Sequence, residues 1–299
     1  MRSLFTLAAT SALALATPAF AQDAAYPADT AVDPAAPRVA DPVALPDDEP
    51  FTGVYVGVAG GYDVQKHETY SHLAFDRDLD GRFGDTVTAA NGANVFALPS
   101  CGGKARGNAP GLGCRSDKDG FAYYGRVGFD KQFGSIVLGA VGEFGKSEIT
   151  DSVSSFSTTP ASYTLTRRVN WEAGLRARAG YAVNTTMFYA TGGGGYAKIG
   201  RSFTTTNRDN DFAVRGDNTQ FGWTAGGGLE QKVGRNMSIG VEYLFHRYKD
   251  DDTRVRVTQG TAAVDNPFVL APNTRGTDIR RTDDQFGWNS IRGVVNFRF

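Results

Sequence analysis

The chain has 299 residues, of which 31 are basic and 32 acidic, giving a formal net charge of −1. A near-neutral balance without a basic surplus argues against a nucleic-acid partner. Glycine (37 residues) and phenylalanine (20 residues) are both abundant. No apolar run beyond the amino-terminal segment is long enough to cross a bilayer as a helix, so a membrane-embedded form would have to cross with strands.

The amino-terminal segment has the order of a secretory signal peptide. Arg2 is followed by an uninterrupted stretch of small and apolar residues, and Ala19-Phe20-Ala21 precede Gln22. This order predicts a signal peptide over residues 1–21, cleaved after Ala21. Residues 22–50 are rich in Ala, Pro and Asp and have no apolar period, which predicts a flexible leader.

From Phe51 onward the chain alternates with a period of two, which is typical of strands that have two different faces. In the first segment Val56 and Val58 fall on one face, and Gly57 and Asp63 fall on the other. The apolar face suits lipid and the other face suits a crowded interior. The same pattern predicts further strands over residues 120–133, 136–146, 169–182, 187–198, 217–233, 237–248 and 284–299.

The connections between these strands alternate in length. Short turns follow the second, fourth and sixth strands, whereas long polar loops cover residues 66–119, 147–168, 199–216 and 249–283. Because a bilayer offers no partner to unpaired backbone groups, an open sheet edge is excluded. The sequence therefore predicts an all-β fold, a closed eight-stranded antiparallel transmembrane β-barrel over residues 51–299, with short periplasmic turns and long external loops.

The inferred inner faces carry ions, whereas a soluble β-sandwich, the alternative fold, would bury bulky apolar groups there. The ions form a nearly balanced set: Arg126, Asp130, Glu143, Glu172, Arg176, Arg178, Glu230, Glu242 and Arg292. Since side chains fill the interior of an eight-stranded barrel, this set predicts a buried ion-pair network in the lumen. A narrow or gated ion path is the alternative.

One strand pairs a histidine with a carboxylate, an arrangement that can serve acid–base hydrolysis. Glu242 and His246 lie four residues apart on the same face. No serine stands in register beside His246, and no GxSxG motif occurs in the sequence. We therefore expect no enzymatic activity.

The first long loop opens like a calcium-binding loop, with alternate carboxylates followed by a glycine at the turn. The candidate ligands are Asp76, Asp78, Asp80 and Asp85, and the usual terminal Glu is replaced by Val87. Calcium bound here would order the loop. The alternative is a solvated loop in which Asp and Gly are simply common.

The same loop contains the two cysteines of the chain, Cys101 and Cys114, in a glycine-rich segment. In an oxidising envelope compartment such a pair predicts one disulfide that closes a loop, because a metal site would need further soft ligands nearby.

Aromatic residues cluster near the ends of the predicted strands and favour girdles at the membrane–water interface. They are Tyr123, Tyr124, Trp171, Tyr189, Trp223, Tyr243, Phe286 and Trp288. Phe286 and Trp288 share the parity of Arg292, which is expected to point inward, so a β-bulge near Asn289 is predicted to bring them to the lipid face.

The segment Ile291 to Phe299 is an alternating strand that ends in Phe. Together with GVYVGVAGGYDV, GFAYYGRVGFDKQFG and VEYLFHRY, it resembles the outer-membrane β-barrel family of opacity-type surface antigens and small porin-like proteins. The resemblance covers residues 51–299. It implies an integral protein of the bacterial outer membrane, embedded in lipid, with Phe299 in the signal read by the barrel-assembly machinery.

The resemblance further implies a role in envelope structure or surface interaction, with a low-conductance porin as the alternative. A lipid-modifying enzyme, the third possibility, lacks an identifiable nucleophile. An eight-stranded barrel can stand alone, so a monomer is expected. The sequence does not indicate an external ligand or receptor.

Overall fold

The computed structural model describes residues 49–65, 71–271 and 273–299. The predicted signal peptide, and the leader up to residue 48, lie outside the described residues. Within these three ranges no helix is long and apolar enough to cross a membrane.

Eight antiparallel strands form one closed barrel, as predicted. The barrel strands are β1 (Gly53–Gln65), β2 (Gly120–Phe133), β3 (Ile136–Ser147), β4 (Ala161–Val183), β5 (Thr186–Thr205), β6 (Thr219–Lys232), β7 (Met237–Lys249) and β8 (Gln285–Arg298). Each strand pairs with the next along the chain, and β8 pairs with β1. This last pairing closes the barrel and leaves it without an open edge.

The two faces of the barrel strands differ as the alternation predicted. Outward-facing side chains are apolar and exposed, for example Val58 at 60% and Phe121 at 67%. Inward-facing side chains are buried and mostly polar, among them Asp63 and Arg292. A soluble sheet would show the reverse, so this outer belt is suited to lipid.

Two of the predicted loops are largely strand. The prediction of loops at residues 147–168 and 199–216 was wrong in this respect. β4 already begins at Ala161, and β5 continues to Thr205. A further strand, Thr150–Ser157, pairs with the first part of β4. Cross-strand hydroxyl pairs support this extension, such as Ser154 with Thr164 at 2.7 Å. These strand extensions are polar because they lie above the apolar belt, where neither face contacts lipid. Their polar composition is the reason that the sequence pattern predicted loops instead of strands.

The remaining long connections fold into an ordered structure at the loop end of the barrel, which we call the head. Its main sheet contains Leu73–Asp76, Thr277–Arg281, Arg254–Thr258 and Asp211–Arg215 in that order. Shorter pieces are Cys101–Gly102, Lys104–Ala105, Cys114–Arg115 and the 3₁₀ turn Pro110–Leu112. The head has an apolar core of its own, which includes Phe75, Tyr163, Val257, Phe268 and Ile279.

The β-bulge predicted near Asn289 is absent, since β8 keeps regular alternation and continuous pairing with β7. A bulge does occur between β4 and β5. The adjacent residues Lys198 and Ile199 of β5 pair with Trp171 and Val169 of β4, so one residue of β4 is left between the two partners. The residue between these two partners bulges out of the ladder, which turns the side chain of Val169 into the interior.

Candidate functional site in the barrel interior

At the turn end of the barrel, two arginines and two acids form a closed set of ion pairs, here called the turn-end ring. Arg178 contacts Asp130 at 3.0 Å and Glu230 at 2.7 Å, and Arg298 contacts the same two carboxylates at 2.9 and 3.4 Å. Arg178 also donates to the Tyr55 hydroxyl at 2.7 Å. All of these side chains are buried. The ring is electrically neutral and spans the lumen.

One layer further in, a second ring repeats this arrangement and is called the central ring. Arg126 contacts Glu143 at 3.2 Å and Glu242 at 3.3 Å, while Arg176 contacts them at 2.6 and 3.1 Å. The Tyr189 hydroxyl donates to Glu242 at 2.9 Å. Two guanidiniums facing two carboxylates again give a neutral set, which meets the requirement that buried charges be paired.

Above the central ring lies a histidine layer made of Glu172, His246 and Arg292. Nη2 of Arg292 lies 2.8 Å from Nε2 of His246, and Nδ1 of His246 lies 3.3 Å from Glu172. Because a guanidinium can only donate hydrogen bonds, Nε2 must be the acceptor and Nδ1 carries the proton. His246 is therefore a neutral imidazole in this arrangement.

The histidine layer is covered by an apolar plug. It consists of Ile149, Val169, Ala197, Ile199, Tyr248, Phe286 and Trp288. The interface placement predicted for Tyr124, Tyr189, Phe286 and Trp288 is wrong, because all four point inward and are buried. The positions of these residues in the period-two alternation already indicated that they face inward. The lumen has room for their rings where the neighbouring residues are small, as at Gly145 beneath the Tyr124 ring.

The lumen ends, towards the head, in a loop-end cluster of charges. Arg167 contacts Asp151 at 2.6 Å and Asp250 at 3.0 Å, and it also pairs with Asp283. The remaining arginines, Arg201 and Arg281, pair with the same set of carboxylates.

A cavity of about 370 Å³ lies beside this cluster, lined in part by Asp117, Asp151 and Arg281. Burial raises the pKa of Asp117 to about 7, and the nearby charge of Asp151 adds to the effect. Asp117 accepts a hydrogen bond from the backbone N–H of Ser152 at 2.8 Å. This carboxyl therefore exchanges its proton near neutral pH.

The structure places all of the predicted lumen residues inside the barrel, where they make the contacts described above. Sequence reasoning missed Arg298 and Tyr55, and it did not assign Asp63 or His246 to the ionic set. Arg298 shares the parity of Arg292, and His246 shares that of Glu242. Tyr55 and Asp63 share the parity of Gly57 on the predicted interior face of the first strand. That signal could have identified all four.

The acidic loop brings together only part of the predicted calcium set. Carboxylate oxygens of Asp76, Asp78 and Asp85 lie within 4.8 Å of one another, whereas Asp80 is not among them. Asp76 accepts backbone hydrogen bonds from Asp80 and Gly81, at 3.1 and 2.9 Å. These contacts shape the loop by themselves, so calcium binding stays a prediction.

The two cysteines are joined in the structure. Cys101 and Cys114 form a disulfide within the head, and Cys101 also pairs with Ser154 of the strand that extends along β4. The crosslink therefore closes residues 101–114 into a covalent loop. The backbone pairing of Cys101 with Ser154 attaches this loop to the extended part of the barrel wall. Phe299 lies beyond β8 and is 77% exposed.

Comparison with known proteins adds a cellular location to this fold. No family profile matches the sequence. Neisserial surface protein A is 10% identical, with 83% of this chain and 98% of that chain covered and a TM-score of 0.33. A 31 kDa outer-membrane immunogenic protein of Brucella melitensis is 29% identical over 277 residues, which cover 92% of this chain and 93% of the relative.

This chain is an outer-membrane β-barrel protein. A 22 kDa outer membrane protein of Rhizobium leguminosarum is also 29% identical, over 139 residues that cover 46% of this chain and 58% of the relative. The predicted bacterial outer-membrane location is confirmed. The turn end of this outer-membrane barrel is accordingly periplasmic, and the head is external.

Proposed function

We propose that this outer-membrane protein is a non-conducting barrel that anchors an ordered external head for envelope structure or surface interaction. The observation that carries the proposal is the succession of layers across the lumen. The turn-end ring, the central ring, the histidine layer and the apolar plug follow one another, and their side chains are almost all buried. Such packing supports a structural role for the lumen.

The head supports the second half of the proposal. It is built from paired strands, an apolar core and a disulfide, and all of these reduce its conformational freedom. A rigid external surface binds a partner with a smaller loss of entropy than mobile loops would. A relative that covers most of this chain is named as an immunogenic protein of the outer membrane, which supports a surface-presented head.

We further propose that the protein is not an enzyme. His246, the histidine of the lumen, is fully buried and has both ring nitrogens engaged by Glu172 and Arg292. A general base must reach its substrate, and this one lies beneath the apolar plug. The chain is expected to act as a monomer in outer-membrane lipid, after insertion by the barrel-assembly machinery.

Solute flux through liposomes tests the proposal. The mature protein is refolded into liposomes, folding is verified by heat-dependent gel migration, and the efflux of small sugars and ions is measured. We expect efflux equal to that of empty liposomes, with a general porin as the positive control. Efflux well above that of empty liposomes would favour the low-conductance porin instead.

A further inference from the structure

One carboxylate of the lumen makes no hydrogen bond to any of the layers. Asp63, near the external end of β1, is fully buried, and neither of its carboxylate oxygens has a hydrogen-bond partner among the described residues. Its cross-strand partners are Gly120 and Ser290, which are too small to reach across to it with a charge. An isolated buried carboxylate is strongly unfavourable, so its charge needs a partner.

Among the described residues, the nearby layers contain no spare positive charge. The turn-end ring and the central ring are each neutral, and His246 is a neutral imidazole. Arg292 is the remaining cation, and it also contacts Glu143 of the central ring at 3.3 Å. It has to balance both Glu172 and Asp63, so the central ring and the histidine layer together carry a net charge of −1. Lys232 does not compensate, because it lies at the periplasmic end and donates to the Arg235 carbonyl.

The cluster on the other side of this layer offers no cation either. Its three arginines face three aspartates. The adjoining cavity adds Asp117 and Asp119, which are further acids. The imbalance at Asp63 is therefore local, and no described side chain resolves it.

Other oxygen atoms in the same layer also lack partners. The Tyr124 hydroxyl and Oε2 of Glu172 are buried without a hydrogen bond. Tyr124, Gly145 and Glu172 are backbone partners on three successive strands. Because Gly145 has no side chain, the Tyr124 ring lies over it, on the side that leads to Glu172. Both Asp63 and Glu172 interact electrostatically with Tyr124 and Arg292.

We propose that a monovalent alkali cation binds in the histidine layer, with Asp63 as its charged ligand. Carboxylate and hydroxyl oxygens are hard ligands of the kind that alkali and alkaline-earth cations prefer. The net charge of −1 selects a monovalent ion, which makes the layer neutral like the two rings beneath it. Tyr124 and Glu172 supply the further oxygen atoms on this side of the lumen.

Thermal unfolding in different salts tests the proposal. The refolded protein is compared in sodium chloride, potassium chloride and N-methylglucamine chloride at equal ionic strength. We expect a higher unfolding midpoint in at least one alkali salt than in N-methylglucamine, because an ion that binds only the folded state stabilises it. Asp63→Asn should abolish this difference. Asp251→Asn removes the same charge from an exposed position and should keep it.

Crystals grown in rubidium chloride give a second measurement that needs no variant. An anomalous density peak beside the Asp63 carboxylate would support the site even if Asp63→Asn failed to fold. The proposal is overturned if the wild-type midpoint is the same in all three salts, or if a folded Asp63→Asn variant keeps the difference. Those results would mean that a proton or a water molecule satisfies Asp63.

Discussion

The imidazole of His246 stacks on the indole of Trp288, with ring centroids 4.8 Å apart and planes inclined by 6°. Beneath this contact the interior is ionic, and above it the interior is apolar. The stacked pair is therefore the boundary at which the charged layers of the lumen are sealed from the external side.

Replacing Trp288 with alanine should destabilise the barrel strongly. Trp288 is fully buried and also stacks on Tyr248, so its removal opens a cavity that costs about 3 to 5 kcal/mol. Trp223→Ala is the matched control, because Trp223 faces outward and is 45% exposed. Urea unfolding in lipid vesicles measures both. Equal losses for the two variants would contradict the plug.

Breaking one ion pair of the turn-end ring should cost more than removing a balanced pair. Arg178→Met leaves Asp130 and Glu230 with only Arg298, and an uncompensated buried charge costs about 3 to 5 kcal/mol. The double variant with Glu230→Gln leaves one acid facing one base, so it should recover part of that loss. A double variant as unstable as the sum of the two single variants would contradict the paired ring.

The control for this cycle is Arg208→Met. Arg208 is exposed in the head, so its replacement should change the free energy of unfolding by less than about 0.5 kcal/mol.

Removing the disulfide should loosen the head and leave the barrel intact. Cys101 and Cys114 are 13 residues apart in sequence. In the chain-entropy model a crosslink that closes a loop of this size stabilises the folded state by about 3 kcal/mol. Replacing both cysteines with serine should accelerate proteolysis within residues 101–114. Heat-dependent gel migration, which reports the barrel, should not change. A change in migration would mean that the crosslink supports the barrel itself.

Asp117 should make the mouth of the barrel sensitive to pH. Burial raises the pKa of Asp117 to about 7 in the folded protein, above the ordinary value of 3.8. The folded state therefore holds this proton more tightly than the unfolded state does. The stabilisation is complete below the ordinary pKa and is lost as the pH rises through about 7.

Comparison of wild type with Asp117→Asn over this pH range measures the effect. The variant cannot ionise, so it should gain stability relative to wild type as the pH rises. A constant difference between the two proteins from acidic to alkaline pH would be incompatible with the raised pKa.

Calcium should bind to the three converging aspartates of the first loop, Asp76, Asp78 and Asp85. Isothermal titration of the refolded protein should then show binding that Asp85→Asn weakens. Asp80→Asn should have a smaller effect, since Asp80 is not part of the converging group. Absence of binding heat with wild type would leave the loop hydrogen bonds as the sole role of these carboxylates.

The alternation of apolar and polar residues was sufficient to predict the barrel, because lipid on one side and a packed lumen on the other impose opposite requirements on successive residues. Six of the eight strands lie within two residues of their predicted bounds. The extensions of β4 and β5 were missed, because above the bilayer successive residues no longer alternate between contact with lipid and contact with the lumen.

The lumen could be predicted in composition but not in arrangement. Parity assigned Arg126 and Glu143 to the interior, but which arginine meets which acid depends on the stagger between strands, which the sequence does not reveal. The preference of aromatic residues for membrane interfaces misplaced Trp288 because that statistical tendency was given more weight than its parity with Arg292.

The pairing of β8 with β1 also has a consequence for biogenesis. Both strands present unpaired backbone groups until they meet, and they are separated by nearly the whole described chain. Contacts between such distant segments form slowly, and exposed strand edges invite aggregation in the meantime. We therefore expect the newly exported chain to depend on periplasmic chaperones until its last strand arrives, and truncations that remove β8 should accumulate as degraded or aggregated material.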